Sequence, residues 1–168
     1  MDLVSSKLVF RTIDPDRDGD LVYRHFVETA RASFGLAERA MRQADHLRWL
    51  RARIEEFPDG HVLALLGDGQ VVGQLELEVP YGKTVGYVNL FYVAKAFRRR
   101  GYGRALHEYA ERYFRSWGAE RIALDVSPEN RKAVGFYRHL GYRFTHIAGE
   151  LARIWRMELV LKEPAPKA

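Results

Sequence analysis

The spacing of apolar residues divides the chain into short strands and helices. Apolar runs at 8–13, 61–66, 71–79 and 85–93 predict four strands, of which the last three form an antiparallel meander. Helical spacing predicts two helices between the first strand and the meander, from residue 20 to about 30 and from 37 to about 57. A strongly periodic helix from about 103 to 117, a strand at 121–126, a helix at 130–140 and strands at 142–146 and 154–161 follow.

The order of these elements predicts an α/β (α+β) domain with a mixed, mostly antiparallel sheet of about seven strands. The order is β-α-α-β-β-β-α-β-α-β-β, and its strand–helix–strand passage at 85–126 predicts one parallel pair at the middle of the sheet. The chain of 168 residues has the length of one domain. We expect 1–162 to form this domain and 163–168 to be a flexible C-terminal tail.

Composition excludes several classes of function. There is no cysteine, which excludes disulfides, thiolate metal sites and a cysteine nucleophile. No apolar run approaches the roughly 20 residues of a membrane helix, and no signal-peptide pattern opens the chain, so we expect a cytoplasmic protein. The net charge of +5 suits an anionic ligand, although the arginines are scattered and also fit a solvated basic surface. The six histidines lack metal-ligand spacing, so no metal is predicted.

A basic loop with two glycines lies between the fourth strand and the strongly periodic helix. It consists of Arg98, Arg99, Arg100, Gly101, Tyr102, Gly103 and Arg104. Glycines let the backbone approach a ligand closely, and the free N–H groups of a helix start attract an anion such as a diphosphate. Arginines add charge-assisted hydrogen bonds to phosphate. Alone, such a loop also fits a tight basic turn without a ligand, and it matches neither a dinucleotide fingerprint nor a P-loop.

Two motifs in sequence carry a resemblance to a known family. They are Arg98-x-x-Gly101-x-Gly103 after the strand at 89–93, and Asn130-x-x-Ala133-x-x-x-Tyr137 followed by Gly141-Tyr142. Together they resemble the coenzyme A signatures of the Gcn5-related N-acetyltransferase (GNAT) superfamily, over roughly 85–144. The resemblance implies a GNAT-like fold with helices on both faces of the sheet and a V-shaped cleft between the fourth and fifth strands. The segment 8–66, which varies with the acceptor in this superfamily, carries nothing distinctive.

The resemblance implies acetyl-CoA as cosubstrate, without a metal. Pantetheine amides would pair with the backbone of the fourth strand where it leaves the fifth, and the diphosphate would lie on the glycine loop. Asn130 is equally predicted to cap its helix, and Ala133 to leave room beside the pantetheine arm. The implied coenzyme-binding residues are Phe91, Tyr92, Val93, Arg98, Arg99, Arg100, Gly101, Tyr102, Gly103, Arg104, Asn130, Ala133 and Tyr137.

Two residues are predicted to carry the acid–base chemistry of acetyl transfer to an amine. Tyr137 matches the tyrosine that protonates the departing sulfur in this superfamily, and a phenol with a pKa of about 10 is protonated at neutral pH. A packed helix tyrosine is the alternative. Asp125, on the strand beside the cleft, is the preferred general base, acting through a bridging water. A solvated aspartate at the strand end is an equal alternative.

The acceptor is an amine that the sequence does not identify among small molecules, amino acids, antibiotics and protein termini. Candidate acceptor-site residues are Glu76, Glu78, Tyr87, Asn89 and Phe34. Glu76 and Glu78 are also explained as solvated strand glutamates, and Tyr87 and Asn89 as cross-strand packing residues. The resemblance leaves a homodimer open, since dimers are common in such families.

Two other functions compete with the acetyltransferase. A regulatory domain could bind acyl-CoA without catalysis, but the intact glycine loop and Tyr137 argue against it. A nucleic-acid-binding module would need exposed aromatic residues beside basic ones. The aromatic residues of the helix at 103–117 instead follow a core stripe, and His107 and His139 are predicted on helix surfaces.

Overall fold

The computed structural model describes residues 8–34, 41–80, 84–149 and 154–161, without the side chain of Phe34. Within these ranges it has seven strands and four α-helices. The strands are β1 (Val9–Thr12), β2 (His61–Leu65), β3 (Val71–Glu78), β4 (Val85–Val93), β5 (Arg121–Val126), β6 (Arg143–Ala148) and β7 (Ile154–Val160). The helices are α1 (Pro15–Phe34), α2 (Gln43–Glu56), α3 (Tyr102–Ser116) and α4 (Arg131–His139). The predicted tail, 163–168, lies outside the described residues.

All seven strands belong to one sheet with the order β1-β2-β3-β4-β5-β7-β6. Every neighbouring pair is antiparallel except β4 and β5, which are parallel and are joined through α3. The fold class, the element order and the central parallel pair predicted from the sequence are confirmed.

The two faces of the sheet carry separate apolar cores because side chains alternate along each strand. On one face Leu106 and Phe114 of α3 pack with Val134 of α4 in the larger core. On the other face Val22 of α1 and Leu50 of α2 pack with Leu63 of β2 in the smaller core. The helices therefore cover opposite faces, as the resemblance implies.

The first two helices begin at positions that differ from the predicted ones. Helix α1 starts at Pro15, because Asp14 accepts hydrogen bonds from the backbone N–H groups of Asp16 and Arg17 at 3.0 and 3.4 Å, as an N-cap does. Helix α2 starts at Gln43 rather than at 37, and residues 35–40 lie outside the described part. An aspartate immediately before a proline is the signal that could have identified the start of α1.

Two expectations about side chains on α3 were wrong. His107 was predicted at the helix surface but is buried, and its Nε2 lies 3.0 Å from the Tyr142 hydroxyl. Trp117 was placed in the core stripe but is 50% exposed, because α3 ends at Ser116 and the chain turns there. Tyr113 and Phe114 are buried as predicted.

Candidate active site

A cleft opens where β4 and β5 separate. Their pairing runs from Val85↔Arg121 to Val88↔Leu124, whereas β4 continues to Val93. Beyond Leu124, β5 pairs with β7, and within the described part of the chain the backbone of residues 89–93 has no strand partner on that side. Unpaired backbone groups inside a domain need another partner. The predicted cleft between the fourth and fifth strands is therefore present, and it opens after residue 88.

A β-bulge lies at the start of this cleft. Glu76 of β3 pairs with Leu90, but the next residue, Leu77, pairs with Val88. Asn89 is therefore the extra residue of β4, and such bulges bend a strand and disrupt its ladder locally. The Asn89 amide nitrogen is buried and has no hydrogen-bond partner within the described residues.

The glycine loop after β4 ends at an open helix start. Gly101 has a φ of 86° as the N-cap of α3, a conformation that favours glycine. The first loop-to-helix hydrogen bond is from the N–H of Ala105 to the Gly101 carbonyl, at 3.2 Å. The N–H groups of the three preceding residues begin the helix, where no carbonyl of the helix can accept from them. Arg99 and Arg100 beside them are exposed, and N–H groups at a helix start together with arginines suit an anionic ligand.

Gly103 has a packing role in addition to its place in the loop. A Cβ atom at this position would lie 3.1 Å from the Phe136 ring of α4. The Phe136 ring in turn lies 5.6 Å from the Phe91 ring of β4. Gly103 thus lets α3 approach α4 beside the open edge of β4.

Arg98 differs from the other arginines of the loop because it binds protein groups. Its Nε donates to the Val93 carbonyl at 2.8 Å, and its Nη2 lies 3.0 Å from Glu28 Oε1 of α1. The Tyr92 hydroxyl donates to the other Glu28 oxygen at 2.7 Å. Burial alone would raise the pKa of Glu28, but these two hydrogen bonds lower it below its usual value. Arg98 therefore fastens the end of β4 to α1.

Helix α4 forms the opposite wall of the cleft. Asn130 Oδ1 accepts a hydrogen bond from the Ala133 N–H at 3.2 Å, which confirms the predicted capping role of Asn130. The Tyr137 ring meets the Phe91 ring edge to face at 6.1 Å, so α4 contacts β4 where β4 leaves β5. Burial raises the pKa of Tyr137, and no hydrogen bond to another described residue contributes to this shift. The Tyr137 hydroxyl is therefore protonated at neutral pH.

Asp125 lies on β5 in a tight cluster of polar groups. Arg156 of β7 donates to its two oxygens, from Nε at 2.6 Å and from Nη2 at 3.1 Å. The Tyr87 hydroxyl donates to Oδ2 at 2.7 Å. Burial raises the pKa of Asp125, but Arg156 and Tyr87 together lower it below its usual value. Its role as general base stays a prediction, and Arg156 is a partner that the sequence reasoning missed.

Glu76 is buried, so the interpretation of it as a solvated strand glutamate was wrong. It is 2% exposed on the face of β3 that α1 covers, and it accepts a hydrogen bond from Gln74 Nε2 at 2.8 Å. Gln74 Oε1 lies 2.8 Å from Nδ1 of His25 in α1. Burial raises the pKa of Glu76 to about 7. Glu78 is only partly buried and lies 3.4 Å from Arg53 of α2.

The remaining predicted site features are placed as follows. The Tyr87 hydroxyl donates to Asp125, and it is not a hydrogen-bond partner of the Asn89 amide nitrogen. Phe34 ends α1, and its side chain lies outside the described residues. In the described ranges no group of three or more histidine, aspartate or glutamate side chains could hold a metal ion. None of the described helices is long and apolar enough to cross a membrane.

Comparison with known proteins identifies the family. The model of the acetyltransferase (GNAT) family matches residues 22–142, and the chain therefore belongs to this family. The predicted family and the predicted enzyme class, an N-acetyltransferase, are confirmed. The match extends well beyond the two motifs on which the resemblance rested.

Individual relatives agree with this assignment. The chain is 28% identical over 138 residues to aminoglycoside N(6')-acetyltransferase type 1 of Klebsiella aerogenes, covering 66% of this chain and 90% of that protein. It is 36% identical over 76 residues to mycothiol acetyltransferase of Beutenbergia cavernae, covering 45% of this chain but only 25% of that protein.

A solved structure supports the same fold. The spermidine N-acetyltransferase of Vibrio cholerae, in complex with CoA and spermine, superposes with a TM-score of 0.74 at 18% identity, over 92% of this chain and 96% of that chain. At this identity the likeness concerns the fold alone.

Proposed function

We propose that this chain is an acetyl-CoA-dependent enzyme, with residues 1–162 as its N-acetyltransferase domain. It would move an acetyl group to a primary amine by direct attack within a ternary complex. The observation that carries the proposal is that β4 leaves β5 after Val88 and leads directly into a basic loop at a helix start. The CoA bound by the Vibrio cholerae enzyme of the same fold supports it.

Coenzyme A has the chemistry that this cleft requires. Its pantetheine arm carries amides that can pair with the free edge of Phe91, Tyr92 and Val93, and its diphosphate can accept from N–H groups of the glycine loop. The exposed side chains of Arg99, Arg100 and Arg104 are available to the phosphates. Arg98 acts differently in this proposal, since its bonds to Val93 and Glu28 hold the strand end that the arm lies on. Asn130 and Ala133 line the arm from α4.

The reaction needs a donor for the thioester oxygen and a proton for the sulfur. A backbone N–H between Phe91 and Tyr92, beside the bulge, is the proposed oxyanion donor. The amine nitrogen forms a bond to the acetyl carbon as the carbon–sulfur bond breaks, and the Tyr137 hydroxyl gives its proton to the sulfur. The contact of the Tyr137 ring with Phe91 of β4 and the protonated state of its hydroxyl support this role.

The role of Asp125 is the part of the mechanism that its contacts support least. A general base must accept a proton, whereas Arg156 and Tyr87 both favour the ionised carboxylate and lower its pKa. These contacts support a second role better, in which Asp125 holds β5, β7 and Tyr87 together at the acceptor side of the cleft. The acceptor itself is proposed to be a small primary amine, because the relatives named for aminoglycosides and spermidine act on such compounds.

The test combines binding and turnover. Calorimetry measures acetyl-CoA affinity, and release of free CoA is followed with a panel of aminoglycosides, polyamines, amino acids and short peptides. We expect acetyl-CoA to bind and one amine class to release CoA far faster than water does. Binding without release by any amine would favour the non-catalytic acyl-CoA domain, and absence of binding would overturn the proposal.

A further inference from the structure

We propose that Glu76 takes the proton from the acceptor ammonium group, with Gln74 and His25 as its positioning residues. This inference rests on the proposed function, because it assigns the general base of the same reaction. It replaces Asp125 in that role with a residue of the neighbouring strand β3.

The first observation is a buried hydrogen-bonded line that ends on Glu76. His25 Nδ1 and Gln74 Oε1 lie 2.8 Å apart, and Gln74 Nε2 donates to Glu76 Oε1 at 2.8 Å. The amide of Gln74 donates to Glu76, so its oxygen faces His25 and accepts from the Nδ1–H. All three side chains are buried. These hydrogen bonds fix the direction of the Glu76 carboxyl and leave its second oxygen without a hydrogen-bond partner among the described residues.

The second observation is that Glu76 lacks the arginine partner that the other carboxylates near the cleft have. Asp125 pairs with Arg156, Glu28 with Arg98, and Glu78 with Arg53. Glu76 forms no ion pair with another described residue. A buried carboxyl group without a cation is unfavourable for stability, and such groups concentrate at functional sites. A cationic acceptor amine is the partner that this carboxyl lacks.

The third observation is the position of Glu76 in the sheet. Glu76 of β3 pairs with Leu90 of β4, next to the bulge at Asn89. Strand β4 lies between β3 and the cleft. The Glu76 side chain lies on the face covered by α1, since it contacts His25 through Gln74. The proposed thioester lies on the other edge of β4 at this level. An amine that approached β4 from the α1 side would therefore come to the face of the sheet that carries Glu76.

The surroundings of Glu76 favour a carboxyl that titrates near neutral pH. Burial and the neighbouring Glu78 raise its pKa and the Gln74 hydrogen bond lowers it, which leaves it at about 7. Arg53 of α2 forms an ion pair with Glu78. His25 of α1 and His61 of β2 face the same region as Glu76. Burial lowers the pKa of both histidines, so neither supplies a positive charge at pH 7. Burial raises the pKa of Tyr92 on β4 to about 12, so this tyrosine is uncharged at pH 7.

The proton balance of the reaction is then complete. The ammonium form of the acceptor gives one proton to the Glu76 carboxylate, which produces the neutral amine. Its nitrogen forms the amide bond, the thiolate leaves with the proton of Tyr137, and the second nitrogen proton returns to the Tyr137 oxygen through solvent. When the product leaves, Glu76 releases its proton to water. One proton is released for each amide and each CoA formed.

The test is the pH profile of kcat/KM with the acceptor found in the amine panel. For the parent enzyme we expect a rise as the pH increases through about 7, because Glu76 must be ionised to accept a proton. Glu76→Gln keeps the shape and can still bind Gln74. It should lower kcat/KM at pH 7 by about 10²- to 10⁴-fold and remove this rise, so that the rate follows only the ionisation of the free amine. Acetyl-CoA affinity should be unchanged.

Two further variants keep the proposal testable if Glu76→Gln folds poorly. Gln74→Met removes the hydrogen bond that lowers the pKa of Glu76, so the rise in kcat/KM should move to higher pH. Glu55→Gln, at an exposed position of α2, is the matched control. It should change neither the pH of the rise nor the value of kcat/KM at pH 7. An unchanged rise in Glu76→Gln, or an unshifted rise in Gln74→Met, would overturn the assignment. If the parent enzyme does not bind acetyl-CoA, that result would instead contradict the proposed function.

Discussion

Arg156 of β7 binds Asp125 of β5 through both carboxylate oxygens, at 2.6 and 3.1 Å. The two residues are direct partners in the antiparallel register of these strands. The guanidinium also lies 5.3 Å from the centre of the Tyr87 ring, whose hydroxyl donates to Asp125. One carboxylate thereby connects β4, β5 and β7 at the point where the cleft opens.

This relationship predicts that Asp125→Asn affects stability more than proton transfer. Removing the charge leaves a partly buried Arg156 uncompensated, so we expect the free energy of unfolding to fall by about 1–3 kcal/mol in urea denaturation. The ratio of kcat/KM between parent and variant should stay constant with pH. A ratio that approaches one at high pH would instead identify Asp125 as the general base that the sequence predicts.

The matched control uses another ion pair between the same two strands. Arg121 of β5 lies 3.2 Å from Glu158 of β7 and is largely exposed. Arg121→Gln should lower the free energy of unfolding by less than about 1 kcal/mol, because exposed ion pairs contribute little. An equal loss of unfolding free energy in both variants would mean that burial does not determine how much the Asp125–Arg156 pair contributes to stability.

Gly101→Ala should weaken acetyl-CoA binding through the backbone of the glycine loop. An alanine at a φ of 86° is strained by about 1–2 kcal/mol, and relaxing that strain turns loop N–H groups away from the diphosphate. We expect calorimetric affinity to fall roughly tenfold or more. Gly69 in the β2–β3 turn also has a φ of 86°, and a Cβ there meets no atom within 4 Å. Gly69→Ala should lose similar stability and bind acetyl-CoA normally; equal affinity of the two variants would contradict the loop assignment.

Tyr137→Phe should keep acetyl-CoA affinity and slow the chemical step. Only the proton donor to the sulfur is removed, and general acid catalysis contributes about 10²- to 10⁴-fold. No hydrogen bond to another described residue contributes to the pKa shift of this hydroxyl, so the free energy of unfolding should change little. Tyr109→Phe is the control, because the Tyr109 hydroxyl donates to the Asp59 carbonyl at 2.7 Å. Tyr109→Phe should lower the free energy of unfolding by about 1 kcal/mol and leave turnover unchanged. Single-turnover kinetics at the parent rate in Tyr137→Phe would reduce Tyr137 to a packing residue.

Local signals in the sequence explain what could be predicted of the fold and the site. Periodicities of two and of about 3.6 residues identify strands and helices because each element buries one face. The glycine loop and the Asn130 cap were found because a turn and a helix start need particular residue types at adjacent positions. The cleft between β4 and β5 followed from the order of the elements together with the family resemblance.

The partners of the polar residues could not be predicted because they are distant in sequence. Arg156 is 31 positions from Asp125, and His25 is 49 positions from Gln74. Both contacts depend on the register of β7 or on how α1 lies across the sheet, and no local pattern encodes either. Alternation along β3 identified the face of Glu76 but not that α1 covers it. The same limit explains why His107, paired with Tyr142, was assigned to a helix surface.

His46 predicts a loss of stability in mild acid. This histidine of α2 is buried, its ring stacks on Phe26 at 4.2 Å, and neither ring nitrogen has a partner within the described residues. Burial lowers its pKa to about 4, below the value of about 6.5 in the unfolded chain. The unfolded chain therefore binds more protons, so the contribution of His46 to stability is complete above about pH 6.5 and falls as the pH decreases toward 4.

The measurement is urea denaturation at pH 7.5 and pH 5.0 for the parent chain and for His46→Phe. Between these two pH values His46 alone should lower the free energy of unfolding by about 2 kcal/mol. Phenylalanine can keep the stacking on Phe26 but has no proton to gain, so the difference between the two pH values should be smaller by that amount in the variant. The absolute stability of His46→Phe does not enter this comparison, because each protein is compared with itself. An equal pH difference in both proteins would mean that His46 is charged in the folded protein or becomes hydrated there.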